Sequence, residues 1–220
     1  PFKLKRPVRL FHGGVDCEKF TPGRTGAGIR AEFAVGEEDC LICAVGHLAR
    51  VKGYETLLEA LELARRANPA IKCLIVGMGS EEYRSSLQEQ IEQLGLQEAV
   101  TLTGFRSDVA EIMAASNFGV LSSVSSEGNS RTALELMACG LAIVATSVGC
   151  LPDLVLDNET GYIIPPGDPA SMAEKILVLS EHPALGAAMG EKGRERVLAN
   201  YSEQTVAEEM EMLYREIIGL

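Results

Sequence analysis

The chain has 220 residues, enough for one generous domain, with 46% hydrophobic residues, 5% aromatics and no Trp. That aliphatic composition fits an α/β protein with buried parallel strands. Its 31 acidic against 20 basic residues give a formal net charge of −11, a field that repels phosphate and excludes general nucleic-acid or anionic-membrane binding, so any bound phosphate must be held locally.

In chain order, a first strand is expected over residues 8–12, then a polar, Gly-rich stretch from Thr21 to Gly28 that reads as a loop or hinge. Apolar runs of strand length follow at 40–46, 71–77, 99–103, 118–122, 142–146 and 162–165. Between them, helical periodicity covers 54–67, 81–94, 108–115 and 130–139. The first of these helices carries Leu57, Leu58, Leu61 and Ala64 on one face and stops at Asn68-Pro69. After Gly167 helices are expected over 169–180, 183–199 and 202–218. Strict alternation of strand and helix implies right-handed crossovers and a Rossmann-like, doubly wound parallel sheet covered on both faces. The expected organisation is a segment entering the domain over 1–39, the α/β domain over 40–199 and a C-terminal helix over 200–220.

Six cysteines are present, at 17, 40, 43, 73, 139 and 150. Cys40 and Cys43 have chelate-like spacing, but a strand turns them to opposite faces and no second pair completes a site. Buried thiols in a reducing cytosol, and no metal, are the expectation. No signal peptide or membrane span is read. The longest charge-free stretch, 136–152, is interrupted by Gly140 and Gly149 and ends on Pro152.

Ligands of an open parallel sheet bind beyond the carboxyl ends of its strands. The loops there carry Gly46 to Gly53, then Gly77 and Gly79, then Gly104 to Arg106, then Ser126 to Arg131, and Thr146 to Gly149. They offer glycines, a few cations, two carboxylates and a helix start, which suits a hydroxylated ring joined to a diphosphate. Gly77 and Gly79 begin like a dinucleotide fingerprint, but position 82 is Glu, so no NAD site is expected. The Gly-x4-Gly-Lys-Ser/Thr loop is absent, which excludes a Walker-type ATPase. Lys52, just before Gly53, can reach a diphosphate as a point charge. Glu127 precedes Gly128, with Asn129 or Ser130 as the N-cap of a helix that carries Glu135 about one and a half turns in. A carboxylate there can accept paired hydrogen bonds from vicinal hydroxyls, while free amides at the helix start can hold a phosphate.

Glu127 and Glu135, with seven residues between them in the block from Ser125 to Gly140, resemble the E-x7-E block of GT-B-fold retaining glycosyltransferases of family 4, also called glycosyl transferases group 1. Other blocks resemble the same family in register. They are Gly14 to Pro22, the phosphate loop Val45 to Gly53, Val100 to Gly104, Ile143 to Gly149 and Thr160 to Asp168.

The resemblance implies the C-terminal, nucleotide-sugar-binding domain of a two-domain enzyme, with an N-terminal acceptor domain as its partner. It implies transfer of a hexosyl group from a UDP-, GDP- or ADP-linked sugar to an unidentified acceptor, with retention and without metal or other cofactor. Glu127 and Lys52 are then the catalytic pair, Glu127 binding sugar hydroxyls and Lys52 neutralising the diphosphate. Glu135 binds ribose hydroxyls, amides of Ser130, Arg131 and Thr132 add to the phosphate site, and backbone around Phe105 and Arg106 flanks the base. His47, Arg50, Gly77, Gly79 and Gly128 complete the binding set. His47 stands where the family commonly has Arg, and a histidine is only partly charged near neutrality, so Arg50 compensates or diphosphate affinity is lower. Asn129-Ser130 departs from the usual aromatic or Gly/Pro pair beside the donor sugar. Without its partner domain the chain is expected to transfer poorly or not at all, and a cytoplasmic location is implied. Two alternatives are a nucleotide-sugar epimerase, for which His12 and His47 are the only nearby histidines, and a non-catalytic nucleotide-binding module.

Overall fold

The computed structural model describes residues 12–218. Six strands, β1 (Cys40–Val45), β2 (Ile71–Val76), β3 (Val100–Gly104), β4 (Phe118–Leu121), β5 (Ala142–Thr146) and β6 (Gly161–Ile164), form one sheet in the order β3-β2-β1-β4-β5-β6, and every pairing is parallel. The expected strand over 8–12 lies outside the described residues except for His12, which is in no strand. The other six expected strands are present within about a residue or two of their expected bounds.

The sheet is buried on both faces because its strands are apolar on both. Cys40, Ile42 and Ala44 of β1 join one core layer and Leu41 and Cys43 the other, so Cys40 and Cys43 do point apart as period-two alternation demands. On the first face lie α2 (Tyr54–Ala67), α3 (Glu81–Gln93) and α7 (Pro169–Glu181), whose Leu57, Leu87 and Ile176 are fully buried. On the second lie α1 (Ala27–Glu32), α4 (Val109–Ala115), α5 (Arg131–Ala138) and α6 (Leu151–Leu154), with Val197 of α8 (Pro183–Asn200) sealing the layer. The last helix, α9 (Glu203–Ile218), starts where Ser202 Oγ accepts from Thr205 N at 3.0 Å, and buries no residue. Two helices differ from expectation. α1 begins in the last two residues of the stretch read as a loop and runs beyond it, and α6 is a single turn after β5. Among the described residues no helix is long and apolar enough to cross a membrane.

The chain leaves β1 toward one face, into α2, and leaves the neighbouring β4 toward the other, into α5. The two loops diverge, and the gap between them is the crevice in which sheets of this order bind ligands.

Candidate functional site

The crevice is built from the ends of β1 and β4 and has room for about 10 Å³, lined by Lys52, Tyr54, Ser123, Glu127, Ser130 and Thr132 among others. After β1 the backbone is pinned to the neighbouring loop, Leu48 N donating to Met78 O at 2.7 Å. A 3-10 turn over Arg50–Lys52 follows and ends on Gly53, whose φ of +63° favours glycine. A Cβ on Gly53 would also run into the carbonyl of Ser122. Ser122 Oγ donates to Lys52 O at 2.7 Å, and Val124 N to Val51 O at 2.8 Å. The exit of β4 therefore holds the Lys52 turn from behind.

Lys52 Nζ reaches across the crevice to the carboxylate of Glu127. Glu127 is 5% exposed, and the same Oε1 accepts from Ser123 Oγ at 2.6 Å. Ser123 is held in turn by Thr146 Oγ1, which donates to its carbonyl at 2.6 Å. The backbone of Glu127 is gripped by the loop after β5: Cys150 N donates to Glu127 O at 2.8 Å, and Gly149, at φ +57°, packs so close to that carbonyl that no side chain fits. A buried carboxylate is tolerable only when paired and hydrogen-bonded, and here both conditions are met.

α5 starts beside the pair. Ser130 Oγ caps it by accepting from Ala133 N at 3.4 Å, and Ser130 and Thr132 face the crevice. Glu135 is in a different setting. It lines an adjoining cavity of about 210 Å³ with Gly14, Asp16, Lys19, Arg131 and Glu203. Burial pushes its carboxyl above the ordinary glutamate range, against a pull from Arg131 and Lys19, and the Arg131 guanidinium stands 3.7 Å away.

The structure thus brings Lys52, Glu127, Ser130 and Thr132 together and sets Glu135 and Arg131 beyond them on α5. His47 and Arg50 line a third groove, of about 330 Å³, with Ser80 and Tyr83. There Arg50 pairs with Glu55 at 3.4 Å and stacks over the Tyr83 ring at 5.5 Å. Gly77 and Gly79 lie beside that loop, Gly77 N donating to Gly104 O at 3.0 Å and Gly79 bridging Leu48. Gly128 is exposed, as is Phe105 at 70%. The Arg106 side chain is fully engaged, donating to both Glu32 oxygens at 2.6 and 2.9 Å and to Asp108 at 2.8 and 2.7 Å. It ties α1 to the loop after β3 and leaves only its backbone on offer at the strand end.

Sequence reasoning missed Ser123, Thr146 and Gly149 as supports of Glu127. A Ser-rich strand end was visible, but which serine faces the carboxylate depends on the pleat of β4. Among the described residues no group of three or more His, Cys, Asp or Glu side chains gathers as a metal site would.

The family model for glycosyl transferases group 1 matches residues 28–196. The GDP-mannose-dependent alpha-(1-6)-phosphatidylinositol monomannoside mannosyltransferase of Mycolicibacterium smegmatis is 30% identical over 201 residues, covering 87% of this chain and 52% of that protein. Anabaena Alr3699/HepE, solved in complex with UDP-glucose, matches with a TM-score of 0.82 at 25% identity, over 90% of this chain and 56% of that one. The C-terminal domain of the glycosyl transferase group 1 family protein LpcC from Francisella tularensis matches in fold, with a TM-score of 0.77 at 24% identity over 86% of this chain and 99% of that one. The chain spans about half the length of the curated relatives it matches. With the matched region running from α1 through α8 on a sheet of this order, the chain has the fold of a GT-B C-terminal domain and belongs to the glycosyl transferases group 1 family.

Proposed function

We propose that this chain is the donor-binding domain of a family 4 retaining glycosyltransferase, moving a hexosyl group from a nucleoside-diphosphate sugar to an acceptor held by a separate N-terminal domain. One observation carries the reading: the Lys52–Glu127 pair stands in the switch-point crevice beside the start of α5. A half-buried cation next to free helix amides stabilises charge that develops on a departing diphosphate, and a fixed ammonium does so without a metal. Glu127 accepts from the sugar hydroxyls and Glu135 from the ribose. Because Lys52 and Glu127 are bonded to each other, donor binding exchanges their ion pair for two ligand contacts, Lys52 turning to phosphate and Glu127 to hydroxyl. Residues 1–39 then form the segment entering the domain, 40–199 the donor site and 200–220 a C-terminal helix, and transfer requires the partner domain. Six free cysteines suit a reducing compartment, and the cytoplasm is the proposed location. His47 and Arg50, turned into their own groove, are assigned to the nucleotide rather than to the reacting sugar.

The relatives differ in donor, one being GDP-mannose-dependent and another solved with UDP-glucose, so the base must be measured. Saturation-transfer nuclear magnetic resonance with UDP-glucose, GDP-mannose and ADP-glucose, in excess EDTA, is expected to show one of the three contacting the protein through both its ribose and its hexose. No saturation transfer to any of the three donors, or binding abolished by EDTA and restored by a divalent ion, contradicts the reading.

A further inference from the structure

The crevice holds one polar group that none of these roles uses. Tyr54 opens α2 and is 3% exposed. Its ring packs in the core layer with Leu57 and Leu58, yet its hydroxyl has no hydrogen-bond partner among the described residues. That hydroxyl rises beside the backbone at the end of β1: a Cβ on Gly46 would stand 3.1 Å from it and 3.8 Å from Lys52 Cε. It therefore sits on the crevice floor, against the stem of the lysine that ends at Glu127. Among the described residues no fully buried side-chain polar atom lacks a partner, so this hydroxyl opens onto the space of the crevice, where phenylalanine would offer no donor.

The surroundings say what the hydroxyl would meet. The crevice has room for about one oxygen atom. The groups around that space are the donors Lys52, Thr132 and Ser130, the last of which accepts from Ala133 N, and one anionic acceptor, the Glu127 carboxylate that Lys52 already neutralises. Burial, with Cys73 and Glu127 adding to it, pushes the Tyr54 phenol up, so it is a donor across the neutral range. With Glu127 turned to a sugar hydroxyl, as proposed above, Lys52, Thr132 and Tyr54 are left as donors for an anionic acceptor.

We propose that Tyr54 is a ligand-contacting residue whose hydroxyl donates to one phosphoryl oxygen of the bound nucleoside diphosphate, seated between Tyr54, Lys52 and Thr132. The inference rests on the nucleotide site proposed above.

Tyr54→Phe keeps the packing and removes only the oxygen. Calorimetric titration of the wild type and Y54F with UDP, GDP and ADP, and with the matching nucleosides, tests it. For whichever diphosphate the wild type binds, Y54F is expected to bind roughly tenfold more weakly, with nucleoside affinity unchanged and a melting temperature close to that of the wild type. Equal diphosphate affinity in the two proteins overturns the Tyr54 contact while leaving the nucleotide site standing. Equal losses for nucleoside and diphosphate overturn it as well, and so does a lowered melting temperature, which would mean the hydroxyl is bonded within the protein. A wild type that binds none of the three diphosphates removes the nucleotide site and Tyr54 with it.

Discussion

Lys52→Ala is expected to weaken binding of a nucleoside diphosphate by roughly 10- to 150-fold, the worth of about 1.5–3 kcal/mol for a hydrogen bond to a charged group, while leaving the nucleoside's affinity almost untouched. The same change should destabilise the free protein. Glu127 is 5% exposed and, among the described residues, keeps only Ser123 Oγ as a side-chain donor once the ammonium is gone. Breaking a buried ion pair from one side costs about 3–5 kcal/mol, and the partial exposure of Lys52, 29% of its side chain, argues for the lower end. For a chain of this size that is a melting-temperature drop of roughly 6–12 °C. Adding Glu127→Gln removes the orphaned charge, so the double variant should regain most of the stability and none of the diphosphate affinity. Thermal melts and calorimetry on the wild type, K52A and the double variant separate the two effects. Affinity that returns together with stability would mean that K52A acted through folding, and equal losses for nucleoside and diphosphate would take Lys52 out of the phosphate site.

Glu135→Gln is expected to split function from stability in the opposite direction. Losing the carboxylate proposed to accept the ribose hydroxyls should weaken nucleotide binding by about 1–3 kcal/mol. The free protein, however, should melt higher at neutral pH. Burial raises the folded-state pKa of Glu135 above its ordinary value of 4.5, so the folded state binds this proton more tightly than the unfolded chain does. Its contribution to stability is present below the unfolded value and is lost as pH rises through the folded one. At pH 7 the charged side chain is a cost that the neutral amide does not carry, and the advantage of Gln should shrink as pH falls toward about 4. Nucleotide affinity of the wild type should weaken on acidification from a higher pH than an ordinary glutamate would set. Melts of both proteins across that range check the sign. An E135Q protein that melts lower than the wild type at pH 7 has lost a structural contact, and one that binds the nucleotide normally has lost no ribose contact.

Such trade-offs are typical of sites that keep charged groups out of water, and they mark where sequence reasoning was strong and where it stopped. Helices such as α2 and strands such as β1 were legible because burial sets their period: Leu57, Leu58, Leu61 and Ala64 line one face, and Cys40 to Val45 are apolar on both. α1 was not legible, since Gly26 and Gly28 argue against a helix. Tertiary contacts override that preference: Ile29 is buried, and Arg30 donates to the carbonyls of Ala115, Gly36 and Asp39. The single turn α6 is too short to show a period. At the site, the loop positions of Lys52 and Glu127 could be read from their strands, but their direct bond joins residues 75 apart. It follows from β1 lying next to β4, which no local pattern encodes. Arg106 shows the reverse case. Its place at a strand end suggested that its backbone flanks the base, and the partner of its guanidinium, Glu32, 74 residues away, could not be read locally. Tyr54 reads as the first apolar residue of a helical stripe, and only the geometry around Gly46 reveals its hydroxyl in the crevice.

The crevice between β1 and β4 is the proposed nucleoside-diphosphate site. Calorimetric titration of the unaltered chain with UDP, GDP and ADP, each beside its nucleoside, tests it most directly. One diphosphate should bind at one site per chain, at least roughly tenfold tighter than its nucleoside because the phosphate groups supply charge-assisted contacts. Binding of none of the three, or equal affinity for a diphosphate and its nucleoside, would contradict it.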